Sequence, residues 1–351
     1  MGYEVVAVAP RDEYVSKLEL LGCRFVHLEM DNQGTHPVHD LVLLWRYLRL
    51  LRIEEPDLCL FYTVKPNVYG SLASTFCDVP FINNVAGLGA VFIEGGWLKW
   101  FVSMLYKLAF RNSSKVFFQN KDDLQLFLEN KLISRQPTVV LPGSGIDLNR
   151  FFPIEVDLHV TRNQPFKFLL IARMLKDKGV VEYVNAAQML KETGIDAEFC
   201  LLGFLDVQNP AAISTEQMKK WTEQGFVRYL GSSNDVRRHI AQAHCIVLPS
   251  YREGTPRALL EAAAMAKPII TTNVVGCKEV VVDGENGFLC EVKNEIDLAY
   301  KMKEMLMLSD DDRRLMGKKG RLKMEQEFDE QIVIQKYIAA INLVLNEQRA
   351  P

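Results

Sequence analysis

Two glutamates eight positions apart, Glu253 and Glu261, carry the clearest chemical signal in this sequence. Thr255 and Pro256 lie between them and are followed by a run of strong helix formers. A hydroxyl residue followed by proline predicts a helix start, with Thr255 as the N-cap and Pro256 as the first helical residue. The apolar run Cys245–Leu248 just upstream predicts a buried parallel strand. We therefore expect Glu253 in the loop at the carboxyl end of a strand and Glu261 about two turns into the following helix.

The start of this predicted helix is also a candidate site for a phosphate. The first N–H groups of a helix have no partner inside the helix, and they favour an anion. One carboxylate near such a phosphate, and another set back from it, suit a nucleotide sugar, whose hydroxyls need acceptors on both sides of the diphosphate. The donor-side candidates here are Gly254, Thr255, Pro256, Arg257, Leu259 and Glu261. The alternative is a surface helix with two ordinary glutamates.

A second group of candidates follows another apolar run, Phe168–Ala172. Arg173 comes directly after this predicted strand, and Lys178 lies in the loop that leads to the next predicted helix. Open parallel sheets bind ligands at the carboxyl ends of their strands. The planar guanidinium of arginine and the mobile charge of lysine can together neutralise a diphosphate, although a solvated charged loop is the alternative. Two further predicted strands end in Gly203 and Gly231, which we add to the donor side.

Taken in order along the chain, these segments resemble family 4 of the retaining GT-B glycosyltransferases. The residues that carry the resemblance are Ile171-Ala172-Arg173, Lys178-Gly179, Leu201-Leu202-Gly203, Leu230-Gly231, Leu248 to Gly254, Glu261-Ala262, Gly276 with Glu279, and Asn286-Gly287. The N-terminal half is similar to the capsule, O-antigen and exopolysaccharide branch. That similarity rests on Thr63 to Asn67, Gly87-Leu88-Gly89, Phe118-Gln119-Asn120, Gly143 to Asp147, and Phe152-Pro153. The resemblance covers nearly the whole chain.

The resemblance implies an α/β protein with the GT-B fold, in which the parallel sheets of two Rossmann-like domains face a central cleft. Strand-like runs alternate with helical stretches in both halves, which independently predicts parallel sheets covered by helices. In the first half the predicted strands are Glu4–Ala9, Cys23–Leu28, Leu58–Phe61, Phe81–Val85 and Val116–Gln119.

The expected domains are an acceptor-binding domain over 1–155, a nucleotide-sugar-binding domain over 165–330, and a C-terminal helix over 331–351 that crosses back to the first domain. The strand at the very start of the chain matches the second strand of the family fold. We therefore expect a truncated N-terminal domain that lacks its first strand and helix.

Sugar transfer breaks the anomeric C–O bond through an oxocarbenium-like state, and the departing diphosphate gains negative charge. Cations fixed beside that charge are therefore expected to carry much of the catalysis. Arg173 and Lys178 are the candidates for this role. By resemblance, Glu253 contacts the donor sugar or its phosphate, and Glu261 accepts hydrogen bonds from the ribose hydroxyls.

On the acceptor side, Lys65 and Asn67 are candidates for contact with an acceptor diphosphate, and the loop Gly87-Leu88-Gly89 is either a close backbone approach to the cleft or an ordinary tight turn. Many members of the family carry a histidine after the strand that matches Phe81–Val85. None of the six histidines here matches that position. The group that assists the acceptor hydroxyl stays open, with a departing phosphate oxygen and Glu94 as candidates.

Composition argues against several other classes. The chain has 351 residues, 48% of them hydrophobic, which is enough for two cores. A net charge of −3 gives no basic field that would attract nucleic acid. The seven cysteines include no C-x-x-C pair, which favours buried thiols in a reduced cytosolic protein. We expect no cofactor and no metal dependence, and the only D-x-D match, Asp310-Asp311-Asp312, predicts a solvated helix start.

No apolar run reaches the roughly 18 residues of a membrane-spanning helix. Two stretches predict helices that could lie among lipid headgroups, since Trp97–Arg111 mixes aromatic residues with cations and Leu41–Arg52 sets three arginines among bulky apolar residues. Core-packed helices with a basic edge are the alternative. Because the resemblance implies a polyprenyl-diphosphate-linked acceptor, we expect a cytoplasmic protein at the inner face of the plasma membrane.

Three functions remain open from the sequence. The first is a retaining glycosyltransferase that moves a sugar from a UDP-linked donor to a lipid-linked saccharide in surface polysaccharide synthesis. The second is a UDP-sugar 2-epimerase on the same fold, which the two spaced glutamates and the absent histidine argue against. The third is a catalytically silent nucleotide-sugar-binding remnant, which the expected loss of an N-terminal strand favours.

Overall fold

The computed structural model describes residues 2–12, 14–30, 37–87, 97–154, 165–205 and 209–349, apart from the side chains of residues 97–99, 101 and 349. The chain divides into two compact units. Unit 1 comprises Met1–Phe118, Asp123–Val139 and Ala339–Pro351, and unit 2 comprises Gln119–Asp122 and Val140–Ile338. The interval between the two predicted domains, residues 156–164, lies outside the described residues.

The first 140 residues alternate strands and helices. The strands are β1 (Val6–Ala9), β2 (Arg24–His27), β3 (Cys59–Tyr62), β4 (Phe81–Val85), β5 (Lys115–Phe118) and β6 (Thr138–Val140). The helices are α1 (Val15–Leu20), α2 (Pro37–Glu54), α3 (Ser71–Phe76), α4 (Trp97–Ala109) and α5 (Lys121–Glu129), with a single π-helical turn at Pro66–Gly70. All five strands predicted for this half are present, each within two residues of its predicted ends.

These strands are parallel, as predicted, but they form two sheets. β1 pairs with β2 alone. A second sheet has the order β3-β4-β5-β6, in which the β3–β4 and β4–β5 pairs are parallel. Within the described ranges, no strand hydrogen-bonds to both β1 and β3, so the two sheets are not joined.

Aromatic side chains form much of the core of unit 1. Tyr106 of α4 and Phe118 of β5 both pack edge-on against Phe127 of α5, with ring centroids 5.3 and 5.1 Å apart respectively. Phe110, just after α4, is also fully buried in this cluster. One face of α4 is therefore fixed against the core, since aromatic pairs of this geometry add to the free energy gained by burial.

Unit 2 contains six more strands and most of the remaining helices. The strands are β7 (Phe166–Ile171), β8 (Ala197–Leu202), β9 (Arg228–Tyr229), β10 (Cys245–Leu248), β11 (Ile269–Thr272) and β12 (Gly287–Cys290). The helices are α6 (Val180–Glu192), α7 (Thr215–Glu223), α8 (Arg237–Gln242), α9 (Arg257–Ala264), α10 (Glu295–Met307), α11 (Asp310–Lys323) and α12 (Glu330–Arg349), and the residues of α12 from Ala339 onward belong to unit 1.

The sheet of unit 2 has the order β12-β11-β10-β7-β8-β9, and every adjacent pair is parallel. From β7 the chain builds outward through β8 and β9, and it then returns to the other side of β7 to build β10, β11 and β12. The strand order therefore reverses between β7 and β10. In open α/β sheets the crevice at the carboxyl ends of such a strand pair is the usual ligand site.

Both faces of this sheet are covered. Side chains alternate along a strand, so Phe168 and Leu170 of β7 join the cluster that includes α6 and α10, while Leu169 joins the cluster that includes α9. The central strands are therefore buried on both faces and hold the loops at their carboxyl ends on a rigid base. No helix in the described part of the chain has both the length and the apolar composition needed to cross a bilayer.

Candidate active site

The loops after β7 and β10 bring the predicted catalytic residues together. The two strands are neighbours, with Cys245 opposite Phe168 and Ile246 opposite Leu169. Arg173 and Lys178 follow β7, and Glu253 follows β10. The reversal of strand order thus places all three residues at the carboxyl end of the same strand pair, where the loops of the two halves of the sheet diverge.

Lys178 and Glu253 form an ion pair in this crevice. Lys178 Nζ lies 2.5 Å from Glu253 Oε1, and the two side chains are only 17% and 14% exposed. Ser250 Oγ donates a hydrogen bond of 2.8 Å to the same carboxylate oxygen. The partly buried cation thereby offsets the charge of the carboxylate, which would otherwise be poorly solvated.

The backbone holds these two loops together. The carbonyl oxygen of Asp177 accepts a hydrogen bond from Tyr251 N at 2.9 Å, and it lies 3.1 Å from Ser250 Oγ as a second acceptor for the single hydroxyl proton that Ser250 shares with Glu253. Gly179, directly after Lys178, has a φ of 73°, and a Cβ at this position would lie 2.0 Å from the carbonyl oxygen of Pro249. Only glycine fits such a close approach in a left-handed conformation, so the turn that presents Lys178 depends on it.

The helix after Glu253 begins one residue later than predicted. Pro256 is the N-cap, with an extended backbone (φ −74°, ψ 116°), and Arg257 is the first residue of α9. Thr255 lies one residue before this N-cap, and its hydroxyl donates to the carbonyl oxygen of Gln119 at 3.2 Å. Glu261 is therefore the fifth residue of α9, slightly more than one turn from its start, and not two turns in as expected.

Glu261 is largely buried, and this burial raises its pKa above the ordinary value of 4.5. Arg257, one turn earlier on α9, opposes the shift in pKa, with its Nε atom 3.5 Å from Glu261 Oε1. Arg257 is mostly exposed, so solvent screens its charge. A buried carboxylate with spare acceptor capacity suits a ligand that donates hydrogen bonds, such as a pair of vicinal hydroxyls.

The other predicted donor-side residues lie along the same edge. Arg173 is exposed and forms no ion pair with the described residues. Gly203 N donates to Gly231 O at 2.8 Å, so the ends of β8 and β9 are joined. Gly254 O accepts from Asn120 Nδ2 at 3.4 Å. The side chain of Leu259 is fully buried in the core, and its backbone N–H donates to the carbonyl oxygen of Pro256 at 3.0 Å, so its predicted contact with the donor stays a prediction.

The acceptor-side candidates lie in unit 1. Lys65 Nζ is 3.1 Å from Asp40 Oδ1, and both side chains are mostly buried. Asn67 is buried: its Nδ2 donates to Asn84 O at 2.8 Å, and its Oδ1 accepts from Asn83 Nδ2 at 3.0 Å. Asn67 thus joins the π-helical turn to β4, and its predicted contact with an acceptor stays a prediction.

The two glycines of the predicted acceptor loop are placed differently. Gly87 lies two residues beyond β4. Gly89 and Glu94 fall outside the described residues.

Several residues around these sites were not found from the sequence. Ser250 could have been suspected, because it lies three residues before Glu253 in the same loop. Asp40 carried no signal, since its partner Lys65 belongs to a different element. The hydrogen bond from Tyr251 Oη to Glu182 Oε1 likewise joins residues that are 69 positions apart.

No group of three or more His, Cys, Asp or Glu side chains among the described residues is arranged to hold a metal ion. The aspartates of the D-x-D match begin α11, and Ser309 Oγ caps that helix by accepting a hydrogen bond from Asp312 N at 3.1 Å. The predicted helix start is therefore confirmed. Metal independence of the activity stays a prediction.

Comparison with known proteins agrees with this geometry. Residues 1–143 match the family described as Glycosyl transferase 4-like domain, and residues 155–323 match Glycosyl transferases group 1. The chain is 31% identical to the N,N'-diacetylbacillosaminyl-diphospho-undecaprenol alpha-1,3-N-acetylgalactosaminyltransferase of Campylobacter jejuni, over 97% of this chain and 92% of the relative. It is 24% identical to the UDP-Gal:alpha-D-GlcNAc-diphosphoundecaprenol alpha-1,3-galactosyltransferase of Escherichia coli, over 74% of this chain and 68% of the relative.

A solved structure shows the same fold. Anabaena Alr3699/HepE, determined in complex with UDP and glucose, superimposes with a TM-score of 0.78 at 18% identity, over 96% of this chain and 91% of the other. The parallel sheets of both units and the matches in both halves lead to one assignment: the chain belongs to family 4 of the GT-B glycosyltransferases.

Proposed function

We propose that this glycosyltransferase moves a sugar, with retention of anomeric configuration, from a UDP-linked donor to a saccharide carried on a polyprenyl diphosphate. The observation that carries the proposal is the pairing of Lys178 with Glu253 at the crevice between β7 and β10, with Glu261 on the helix that follows. These groups match the three parts of a nucleotide sugar: the cation suits the diphosphate, the adjacent carboxylate suits the transferred sugar, and the second carboxylate suits the ribose.

The donor would lie across this edge with its diphosphate between Lys178 and the exposed Arg173. Two positive charges can neutralise a diphosphate, and the guanidinium of Arg173, which forms no ion pair with the residues that the structure describes, is available for a bidentate contact. The ribose hydroxyls would donate to Glu261, whose burial favours a ligand with donors to offer. The free amides at the start of α9 add partial positive charge near the phosphates.

The linkages that two relatives form support retention. The names of both relatives above specify alpha-1,3 linkages. An α product from an α-linked nucleotide sugar requires the acceptor oxygen to enter on the face from which the diphosphate leaves. The C–O electron pair departs with the diphosphate, and the hydroxyl proton passes to a departing phosphate oxygen on that same face. The fixed cations Arg173 and Lys178 would stabilise the growing charge.

The acceptor assignment rests on the relatives and on the chemistry of unit 1. The names of both relatives above include a saccharide joined to undecaprenol through a diphosphate. In this chain Lys65 is a mostly buried cation beyond the carboxyl end of β3, and its present partner is Asp40. A diphosphate could replace that carboxylate, since both are anionic oxygen acceptors.

Membrane contact is part of the proposal, because a polyprenyl chain stays in the bilayer. On α4 the exposed apolar side chains Trp100, Met104 and Leu108 recur every four residues, and Lys107 and Arg111 beside them are also exposed. This stripe lies opposite the face that packs Tyr106 into the core.

Helix α2 has a similar exposed stripe, formed by Val38, Leu41 and Trp45, and the Arg49 guanidinium lies 5.8 Å from the Trp45 ring centroid. Exposed aromatic and basic residues on helices of this kind favour the headgroup region of a membrane. Both helices are therefore candidates for contact with the inner face of the plasma membrane.

The direct test is turnover with defined substrates. The protein would be incubated with UDP-sugars and with N-acetylglucosaminyl-diphospho-undecaprenol in vesicles, and both UDP release and the glycolipid product would be measured. We expect a longer glycolipid whose new linkage is α by NMR, formed equally well with and without EDTA. A β linkage would refute retention. UDP binding without any glycolipid product would instead favour the silent remnant.

A further inference from the structure

A carboxylate that belongs to neither predicted binding function lies directly behind the catalytic loops. Glu182 is the third residue of α6 and is 9% exposed. Its Oε1 atom accepts a hydrogen bond of 2.5 Å from Tyr251 Oη. Tyr251 stands two residues before Glu253, and Glu182 stands four residues after Lys178. The hydrogen bond thus joins the same two segments of chain as the Lys178–Glu253 ion pair.

Tyr251 is held by several contacts. Its backbone N–H donates to the carbonyl oxygen of Asp177 at 2.9 Å, and its hydroxyl donates to Glu182. Lys293 Nζ lies 4.8 Å from the centroid of its ring. Burial, together with the adjacent carboxylate of Glu182, raises the pKa of Tyr251, so the phenol stays protonated and remains a donor. The side chain therefore has one fixed position between α6 and the loop that carries Glu253.

Stability of the core does not account for Glu182. Its second carboxylate oxygen, Oε2, is buried and has no hydrogen-bond partner among the described residues. A buried carboxylate with one satisfied oxygen is less favourable than an apolar side chain of similar volume at the same place. The buried carboxylate of Glu182 is therefore better explained by the side chain that it holds in place, Tyr251, than by a contribution to folding.

Donor binding creates a need for such a restraint. In the described structure Lys178 neutralises Glu253. When the diphosphate of the donor binds Lys178, the carboxylate of Glu253 loses its cationic partner. It also gains a negatively charged neighbour, the diphosphate itself. Repulsion then favours movement of the Glu253 loop away from the donor.

We propose that the Glu182–Tyr251 hydrogen bond is a positioning pair that holds the loop of Glu253 in place while Lys178 exchanges that carboxylate for the diphosphate of the donor. This inference rests on the donor site proposed above. α6 provides the fixed end of the restraint, because its first turns are packed into the core through Val180, Tyr183 and Val184. Neither Glu182 nor Tyr251 needs to touch the substrate.

The test compares Tyr251→Phe with the wild-type enzyme in steady-state kinetics. Loss of one hydrogen bond to a charged acceptor should lower kcat by roughly 3- to 10-fold, with a smaller change in the KM for the donor. Tyr300→Phe is the matched control, because it removes a hydroxyl from an exposed tyrosine on α10 and should leave kcat unchanged. Thermal unfolding of each variant gives the folded fraction to which rates are normalised.

Adding Tyr251→Phe to a Glu253→Gln variant distinguishes the proposed positioning role from a merely structural one. In that variant there is no charge to repel the diphosphate, so adding Tyr251→Phe should lower kcat no further. An equal fractional loss of kcat in both backgrounds would overturn the proposal. So would a loss that disappears after normalisation to the folded fraction.

Glu182 supplies a second and independent pair of variants. Glu182→Gln keeps a carbonyl acceptor for Tyr251 and should retain most of the wild-type kcat. Glu182→Ala removes the acceptor, so its kcat should be as low as that of Tyr251→Phe. Equal loss in Glu182→Gln and Glu182→Ala would contradict a role through this hydrogen bond. Absence of turnover in the wild-type enzyme would refute the proposed function itself. This outcome differs from the ones above, which all compare variants with an active wild-type enzyme.

Discussion

Lys178 Nζ lies 2.5 Å from Glu253 Oε1 although the two residues are 75 positions apart in the sequence. The contact exists because β7 and β10 are adjacent in a sheet whose strand order reverses between them. Two residues that were predicted separately to serve the donor are thus partners before the donor arrives. Their mutual neutralisation allows both to be mostly buried, and it means that the incoming diphosphate must compete with Glu253 for Lys178.

The energetic coupling of this pair can be measured by a double-mutant cycle. Lys178→Met leaves the carboxylate of Glu253 without its cation and should destabilise the fold by roughly 1–3 kcal/mol, whereas adding Glu253→Gln should recover part of that loss. The free energy of unfolding in urea gives each value. The matched control is Lys219→Met with Glu223→Gln, an exposed pair 3.8 Å apart on α7, for which we expect little coupling. Equal coupling in both cycles would mean that burial does not strengthen the site pair.

Glu261→Ala should weaken the binding of UDP by roughly 1.5–3 kcal/mol, because a ribose hydroxyl loses a charged acceptor. Isothermal titration calorimetry with UDP measures this change directly. Glu216→Ala is a control for general effects, since Glu216 is an exposed glutamate in the first turn of α7. Unchanged affinity in Glu261→Ala would remove this residue from the donor site.

The binding of UDP should also depend on pH through Glu261, whose pKa is raised by burial above 4.5. The folded protein holds a proton there more tightly than the unfolded chain does. The contribution of Glu261 to stability is therefore fully present below pH 4.5 and is lost as the pH rises through the raised pKa.

UDP affinity should follow the opposite trend. Ribose hydroxyls need the ionised carboxylate, so affinity should fall as the pH decreases through the raised pKa of Glu261. Glu261→Gln should remove this dependence on pH, while the titration of the UDP phosphates remains in both proteins. Superimposable pH profiles of UDP affinity for the wild type and Glu261→Gln would show that the carboxylate does not contact UDP.

Arg173→Ala should depress turnover more than it weakens ground-state binding of the donor, since its charge matters most as the leaving group develops. The comparison needs kcat, the KM for the donor and the calorimetric affinity for UDP. Arg314→Ala, which removes a half-exposed arginine on α11, is the control and should change none of the three. An equal loss in kcat/KM and in affinity, with kcat unchanged, would assign Arg173 to uniform binding and not to catalysis.

Membrane contact through α4 predicts binding to anionic liposomes that weakens as salt is added. Replacing Lys99, Lys107 and Arg111 together with Glu should release the protein from liposomes without unfolding it, as judged by flotation and by circular dichroism. Loss of folding in this variant would show that the basic edge supports the core.

The matched control places the same charge change on unit 2, at the exposed residues Lys303, Lys318 and Lys319. This variant should bind liposomes as the wild type does. If the α4 variant still binds, the exposed stripe of α2 around Leu41 and Trp45 is the next surface to change.

Local sequence predicted the five strands named for the first half but missed β6 (Thr138–Val140). Apolar runs bounded by polar residues identified the strands, because the central strands of a covered parallel sheet are buried on both faces and carry few polar side chains. The spacing of Glu253 and Glu261, which spans part of a loop and the start of a helix, could also be recognised from the local sequence. The predicted position of the helix start was wrong by one residue: Pro256 is the N-cap, and the hydroxyl of Thr255 donates to Gln119 O, a residue far away in the sequence. A propensity rule carries no information about such a partner.

What the sequence by itself determined, then, is the alternation of strands and helices, the position of most strands in the first half, and which charged residues follow the predicted strands, since these depend on neighbours a few positions away. Tertiary structure alone decided that Lys178 meets Glu253, that Glu182 receives the hydroxyl of Tyr251, and that Asp40 holds Lys65. It also decided that the first strands form two sheets. Each of these outcomes depends on strand order and on contacts between residues far apart in the chain, and the periodicity of side chains within one element does not encode them.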